Sequence, residues 1–213
     1  MERREVRSRS NAAIRHVAAA LAQTSVTPNQ ISVFSAVAAA TVPLSLALLA
    51  PVAGALAALL AIQLRLLANV LDGLVAVEGG KSSALGALYN EFPDRLADTL
   101  ILVGVGYACG ASTLGWACAL LAALTAYVRT FGGALGLPQS FRGPMAKQHR
   151  MAVVSASLVL FAVLQGSGSE SLAEYAQGVL VLGLWVVAIG SAWTCVTRTQ
   201  GIARQLEGKS PDA

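Results

Sequence analysis

Charged residues are scarce in this chain. Asp, Glu, Lys and Arg make up 12% of its 213 residues, whereas hydrophobic residues make up 55% and the mean hydropathy is +0.64. Soluble domains usually carry about 25% charged residues. So few charges cannot cover a water-facing surface of this size, so the composition excludes a soluble globular domain and predicts an integral membrane protein.

Cysteine and aromatic residues are also few. The three cysteines, Cys109, Cys118 and Cys195, form no CxxC pair, so neither a disulfide framework nor a zinc site is expected. The net charge of +4 does not indicate nucleic-acid binding, because the basic residues are spread out and lack interleaved aromatic residues. A membrane face that carries anionic lipid explains these basic residues better.

Long apolar runs are the main feature that is present. Membrane-spanning helices need about 20 apolar residues each, and the chain has room for six of them with short loops. The six runs cover residues 31–49, 52–71, 84–108, 114–128, 151–164 and 179–196. The predicted fold is therefore an all-α integral membrane protein with six transmembrane helices, as a single domain over residues 1–213 with its core in 30–200.

The N-terminal segment, residues 1–25, is basic but lacks an apolar stretch long enough for a signal peptide. Ile14, Val17, Ala18 and Leu21 fall on one side, which predicts an amphipathic juxtamembrane helix on the membrane surface. A disordered basic tail is the alternative. The nearby arginines are Arg3, Arg4, Arg7, Arg9 and Arg15.

Basic residues are distributed very unevenly among the loops. Fourteen of the fifteen Lys and Arg residues lie in segments 1–30, 72–98, 129–150 and 197–213, and the other is Arg65. The remaining turns contain none. By the positive-inside rule, this distribution and an even number of spans place both termini in the cytoplasm, with residues 201–213 as a cytoplasmic tail.

Amide and carboxylate side chains cluster between two of the apolar runs. Asn69 and Asp72 are three residues apart, and Asn90 and Asp94 are four apart, so each pair shares one helix face. The two glycines at 79–80 predict a tight turn between the two helices. The pairs should then face each other and form a cage of side-chain oxygens at the cytoplasmic edge of the membrane.

This cage indicates a particular chemistry. Carboxylates near hydrocarbon are costly and usually mark function, and hard oxygen ligands suit Mg²⁺, Mn²⁺ or Ca²⁺. Such an ion can hold a diphosphate and stabilise a departing phosphate. The small residues Gly73, Ala76 and Gly86 leave room for a nucleotide, and Asp94 could take a proton from an attacking hydroxyl.

Two groups of basic residues near these segments have both a structural and a functional interpretation. The acidic residues could simply pair with Arg65, Arg95 and Lys81 at a helix hairpin. Lys147 and Arg150 share a face near the start of the fifth span. They could bind an acceptor phosphate or a lipid diphosphate, or serve only as positive-inside anchors.

The polar cluster resembles the signature of the CDP-alcohol phosphatidyltransferase family, D-x2-D-G-x2-A-R-x8-G-x3-D-x3-D. The match runs through Asp72, Gly73, Ala76, Gly86 and Asp94 with the family spacing kept. The six-span plan is also typical of the family, as is a Thr-Pro-Asn segment before the first span. The resemblance therefore covers nearly the whole chain.

Three positions depart from the family pattern. Asn69 and Asn90 replace aspartates at the first and third acidic positions, and Val77 replaces the motif arginine. An amide oxygen still binds a metal ion but brings no charge, which should weaken a two-metal site. Either one tightly held ion or a second ion bound only with substrate is expected. Arg65, one turn before Asn69, is a candidate to take over part of the lost arginine's role.

The resemblance implies roles for individual residues. Asn69, Asp72, Asn90 and Asp94 would bind Mg²⁺ or Mn²⁺, and Asp94 would be the catalytic base. The candidate substrate-binding residues are Asn29, Arg65, Gly73, Ala76, Gly86, Lys147 and Arg150.

The function implied is phospholipid biosynthesis in a bacterial inner membrane. A metal-dependent enzyme would transfer a phosphatidyl-type group from a CDP-linked lipid, such as CDP-diacylglycerol, to an alcohol acceptor and release CMP. The resemblance also implies a homodimer with a cytoplasmic active site. The acceptor stays open. The alternatives are a family enzyme that uses a soluble CDP-alcohol donor, an inactive family member, and a non-catalytic transporter or scaffold.

Overall fold

The computed structural model describes residues 12–208, which contain seven helices and no strand. The prediction of an all-α fold is therefore confirmed for these residues. The helices are α1 (Ala12–Ala22), α2 (Pro28–Leu48), α3 (Pro51–Glu78), α4 (Gly86–Ala108), α5 (Ser112–Ala134), α6 (Lys147–Gly166) and α7 (Glu170–Glu207).

Five helices, α2, α3, α5, α6 and α7, are long and apolar enough to cross a membrane. The chain is therefore an integral membrane protein. Helix α4 has a sufficient length of 23 residues, but its first half contains Glu91, Asp94, Arg95 and Asp98. These charges explain why α4 is not among the five, and the sixth span stays a prediction.

The chain groups into two compact units, the first ending at Ile101 and the second beginning at Leu102. In the first unit, α2 and α3 pack along each other and are joined by only residues 49–50. Thr27 caps α2, since its side chain accepts from the Gln30 N–H while the Gln30 side chain accepts from the Thr27 N–H. Gly79 ends α3, and Gly80 has a φ of 61°, a conformation that favours glycine.

Helix α1 packs against α3 through its apolar side. Ala18 is buried in a cluster with Leu71, Leu74 and Val75 of α3, and Ile14 and Leu21 pack against this cluster. Ile14, Ala18 and Leu21, three of the four residues predicted to form the apolar side of this helix, make these contacts. The fourth, Val17, is 46% exposed. The residues Arg3, Arg4, Arg7 and Arg9 lie outside the described residues, and a membrane-surface location of α1 stays a prediction.

In the second unit, α7 packs against both α5 and α6. The thiol of Cys118 on α5 donates to the Leu184 carbonyl of α7 over 3.2 Å, as a small, largely apolar residue in a helix interface. Helix α7 runs well beyond the predicted span 179–196 at both ends. It continues through residues 201–207 of the predicted tail, and residues 209–213 lie outside the described residues.

Close backbone contact between α4 and α5 requires glycine in the second unit, and this gives a first prediction. A Cβ at Gly106 would lie 2.7 Å from the Gly115 Cα, whereas a Cβ at Gly178 of α7 would meet nothing within 4 Å. We expect Gly106→Ala to destabilise the protein by about 1–3 kcal/mol through overpacking. Gly178→Ala should be neutral or stabilise it by up to about 1 kcal/mol.

Thermal unfolding of both variants in one detergent checks this prediction. A lower midpoint for Gly106→Ala with an unchanged or higher midpoint for Gly178→Ala is the expected result. Equal shifts would contradict the close approach of the two helices.

Candidate active site

Asn69 of α3 and Asp94 of α4 lie in direct contact. The Asn69 Nδ2 donates to the Asp94 Oδ1 over 2.9 Å. The other end of this amide is held as well, because the Ser35 Oγ of α2 donates to the Asn69 Oδ1 over 3.0 Å. The spacing in the sequence predicted that these two positions would face each other, and this contact confirms it.

Asp72, one turn further along α3, is also buried, with 6% of its surface exposed. The Ser32 Oγ of α2 donates to its Oδ2 over 2.7 Å. Helix α2 therefore orients both polar residues of α3 through serines three residues apart on one face. The sequence motif does not include Ser32 and Ser35, although two hydroxyls three residues apart in an otherwise apolar helix are a signal that would identify them.

Arg65 lies fully buried beside the Asp94 carboxylate. Its Nη2 is 2.6 Å from the Asp98 Oδ1 and 3.5 Å from the Asp94 Oδ1. Arg65 is 0% exposed and Asp98 is 2% exposed. The alternative interpretation of acids that pair with nearby arginines is therefore correct for Asp98 and partly correct for Asp94.

Of the other two basic residues of that interpretation, Arg95 also lies near Asp94, whereas Lys81 contacts backbone carbonyls. The Arg95 side chain is 25% exposed, and it lies 3.4 Å from Glu91 and 3.8 Å from the Asp94 Oδ2. The Lys81 Nζ instead donates to the backbone carbonyls of Thr24 and Val26. Lys81 thus fixes the turn after α3 onto the segment before α2.

The remaining predicted site residues of the first unit are more exposed than Asp72 and Asp94. Asn90 is exposed and lies one turn before Asp94 on α4. Gly73, Ala76 and Gly86 are all partly exposed, and a Cβ at Gly86 would meet only the Ser83 Oγ at 3.7 Å. The Asn29 Nδ2 donates to the same Ser83 Oγ over 3.5 Å, so Asn29 lies beside the turn between α3 and α4.

Lys147 and Arg150 belong to the second unit, where Lys147 is the first residue of α6. Arg150 is 1% exposed, and its Nη1 donates to the Met145 carbonyl over 3.0 Å and to the Thr125 Oγ1 over 3.2 Å. Arg198 of α7 donates to the carbonyl of the same Thr125. From its position in the sequence, Arg198 is only one of the positive-inside residues. Its burial in a membrane protein marks it as a further functional candidate.

The polar residues of the first unit fit a divalent cation shared with a substrate. Within residues 12–208, no group of three or more His, Cys, Asp or Glu side chains could hold a metal ion. The site offers the two carboxylates of Asp72 and Asp94 and the amide oxygen of Asn69. Mg²⁺ is usually held by one or two carboxylates plus substrate phosphates rather than by an all-protein cage, and this donor set suits that arrangement.

Apolar helices with two buried carboxylates on facing helices, spaced as in the family signature, define a membrane protein similar to the CDP-alcohol phosphatidyltransferases. Comparison with known proteins supports this class. The chain is 28% identical over 151 residues to a phosphatidylinositol phosphate synthase of Streptomyces avermitilis, a match that covers 68% of this chain and 60% of that protein. No family model matches the chain.

Solved structures show the same fold. A phosphatidylinositol phosphate synthase of Mycobacterium tuberculosis, solved with CDP-DAG bound, superposes with a TM-score of 0.71 at 21% identity and covers 90% of this chain and 94% of that chain. The same synthase with manganese and citrate gives a TM-score of 0.70 at 20% identity and covers 89% of this chain and 88% of that chain. The resemblance to the family that the motif predicts is therefore confirmed in sequence and in fold.

Proposed function

We propose that the chain is an enzyme of phospholipid biosynthesis. It transfers a phosphatidyl-type group from a CDP-linked lipid, with CDP-diacylglycerol as the first candidate, to the hydroxyl of an alcohol acceptor, and it releases CMP. The observation that carries this proposal is the pair of buried carboxylates, Asp72 and Asp94, on facing helices with the spacing of the family signature. The CDP-DAG bound to the synthase of similar fold supports this donor.

The proposed reaction is a single displacement at the lipid-side phosphorus. Asp94 takes the proton of the acceptor hydroxyl, and the hydroxyl oxygen forms the new bond to phosphorus. The bond between that phosphorus and the bridging oxygen breaks, and CMP leaves with the electron pair. Asn69 and Ser35 hold the Asp94 carboxylate in place, because the Ser35–Asn69–Asp94 hydrogen bonds fix one of its two oxygens.

We propose Mg²⁺ or Mn²⁺ as the cofactor, held by Asp72, Asp94 and the Asn69 amide, with Asn90 one turn away on α4. The manganese in a structure of similar fold supports this choice. When bound, the ion offsets the charge on the diphosphate and on the departing phosphate. Ser32 keeps the Asp72 carboxylate oriented for this task.

The substrate-binding residues are proposals too. A Cβ at Gly86 would have open space around it, Gly73 and Ala76 are small and partly exposed, and Asn29 lies beside the turn between α3 and α4, so these residues are proposed to make room for the CDP part. Arg150 and Lys147 are proposed to bind an anionic group of a substrate. Lys147 is partly exposed at the first position of α6, whereas Arg150 is 1% exposed and bonds to Thr125 and Met145, so Lys147 is the better placed of the two to reach a substrate.

The membrane arrangement of this enzyme has three proposed parts. Helix α4 is the sixth span, and its polar half forms the site. The uneven distribution of basic residues supports both termini and the site on the cytoplasmic side of the membrane, which is proposed to be a bacterial inner membrane. A homodimer is also proposed, since alanine- and glycine-rich helix faces permit close association.

Release of CMP tests the proposed function directly. Purified protein in detergent is supplied with CDP-diacylglycerol, Mg²⁺ or Mn²⁺, and one acceptor at a time. The panel contains inositol phosphate, glycerol 3-phosphate, serine, glycerol and phosphatidylglycerol. The name of the related synthases supports inositol phosphate as the first acceptor to test. We expect metal-dependent CMP release with one acceptor and none when the metal is chelated.

The other outcomes separate the alternatives. CMP release only with a soluble CDP-alcohol donor would place the chain among family enzymes with a different donor. Binding of metal and CDP-lipid without turnover by any acceptor would favour an inactive family member. Binding of neither would favour the transporter or scaffold.

A further inference from the structure

Arg65 is the one arginine described in the first unit whose side chain is completely buried. Its side chain is 0% exposed, and it reaches two carboxylates through a single nitrogen, Nη2. Its Nε and Nη1 are buried without a hydrogen-bond partner among the described residues. A buried charge with unsatisfied donors is costly, which makes Arg65 a candidate for a role at the site.

The burial of Arg65 does not favour the predicted substrate contact. No atom of its guanidinium is accessible, and the shortest bond, 2.6 Å, goes to Asp98, one turn beyond Asp94 on α4. Asp98 therefore anchors the guanidinium on the inner side of the site. A substrate phosphate could reach Arg65 only if these helices separated.

The two donors to Asp94 act on the same oxygen. Arg65 Nη2 lies 3.5 Å from the Asp94 Oδ1, and the Asn69 Nδ2 donates to that oxygen over 2.9 Å. The other oxygen, Oδ2, faces the partly exposed Arg95 at 3.8 Å. The carboxylate thus has an inner oxygen, Oδ1, fixed by α3 and an outer oxygen, Oδ2, that lies next to the Arg95 guanidinium.

We propose that Arg65, anchored by Asp98, is a positioning residue that fixes the inner oxygen of Asp94 and offsets part of the negative charge of the site. This inference rests on the proposed function. It has two consequences. Arg65 raises turnover by orienting Asp94, and it weakens the binding of a free divalent cation, because its positive charge lies next to an ion ligand.

The test uses Arg65→Gln, Arg65→Lys and, as a surface control in the same unit, Arg15→Gln in the full-length protein. We expect Arg65→Gln to lower kcat by about 10–100-fold, the usual cost of losing a partner of a site ligand, with little change in the KM for CDP-diacylglycerol. Arg65→Lys should recover much of the lost kcat because it keeps the charge. Arg15→Gln should change kcat by less than about fivefold, since its ion pair with Glu78 is exposed and lies outside the site.

Mn²⁺ binding, measured from the electron paramagnetic resonance signal of free Mn²⁺, supplies a readout independent of turnover. Arg65→Gln should bind Mn²⁺ more tightly, by about tenfold, since a positive charge near the ligand is removed. A purely structural role would instead weaken Mn²⁺ binding together with thermal stability. If Arg65→Gln does not fold, the double variant Arg65→Gln/Asp98→Asn replaces it, because it removes both charges of the buried ion pair. Its kcat should still be lower than that of the wild-type protein, with an unchanged KM for CDP-diacylglycerol.

Two results would overturn the inference. A higher KM for CDP-diacylglycerol at an unchanged kcat would make Arg65 a substrate-binding residue. Weaker Mn²⁺ binding in an Arg65→Gln variant that keeps the wild-type melting temperature would remove the charge argument. If the wild-type protein releases no CMP, the proposed function fails and the positioning role falls with it, while the direction of the Mn²⁺ change separately tests the charge effect of Arg65.

Discussion

Asp94→Asn is expected to abolish nearly all CMP release, with a loss of about 10²–10⁴-fold, the range that a positioned general base contributes. The substitution keeps the shape of the side chain and an oxygen that accepts from Asn69, but it removes the group that takes the proton. Because Arg65 keeps its shorter ion pair, 2.6 Å to Asp98, and the new amide can still accept from Asn69, the substitution should leave the helices in place. Initial rates of CMP release at saturating donor and acceptor measure the loss.

Glu91→Gln is the matched control, because it removes one negative charge from the same helix three residues earlier. Glu91 pairs with the partly exposed Arg95 and lies outside the buried group, so we expect close to wild-type turnover. Full turnover by a well-folded Asp94→Asn protein would show that Asp94 is not the base. Equal losses in both variants would instead point to a general effect of charge on α4.

The sequence was sufficient to predict the contact between α3 and α4. A three-residue spacing on one helix, a four-residue spacing on the next and two glycines between them specify which faces meet, and the Asn69–Asp94 bond agrees with that prediction. These signals are local, since they depend only on the helix period and on a turn. The positions of the helices can likewise be predicted from the apolar runs, because this signal is also local.

The contacts that complete the site depend on residues distant in the sequence. Ser32 and Ser35 are ordinary small residues in an apolar helix until α2 packs on α3 and aims them at Asp72 and Asn69. For Arg65, the sequence allows two interpretations, ion pairing and substrate contact. Only the packing of α3 on α4 reveals its bond with Asp98, 33 residues away.

The end of α7 illustrates a different limit. The predicted span stops at Val196, where polar residues begin, but the helix continues to Glu207. Polarity marks where a chain leaves the hydrocarbon region, whereas a helix ends where its backbone hydrogen bonds end. The membrane boundary and the helix boundary are therefore separate quantities, and the hydropathy pattern predicts only the first.

Asp72→Asn should lower metal-dependent CMP release by at least about 100-fold, because stabilisation of transition-state charge by a metal ion amounts to several kcal/mol. The amide can still accept the hydrogen bond from Ser32, so the packing of α2 on α3 should persist. What is lost is the charge of one of the two carboxylates proposed to hold the ion. Binding of Mn²⁺ should weaken together with activity, and both can be measured on the same preparation.

Ser32→Ala separates charge from orientation at this position. It removes the 2.7 Å hydrogen bond to Asp72 and leaves the carboxylate intact, so we expect a loss of about tenfold, at the low end for an outer partner of a metal ligand. The informative result is which of the two variants, Asp72→Asn or Ser32→Ala, loses more CMP release. If Ser32→Ala were the more damaging change, Asp72 would act mainly as a hydrogen-bond acceptor that joins α2 to α3, and the ion would have to depend on Asp94. If Asp72→Asn is the more damaging one, the negative charge of Asp72 is what the reaction requires.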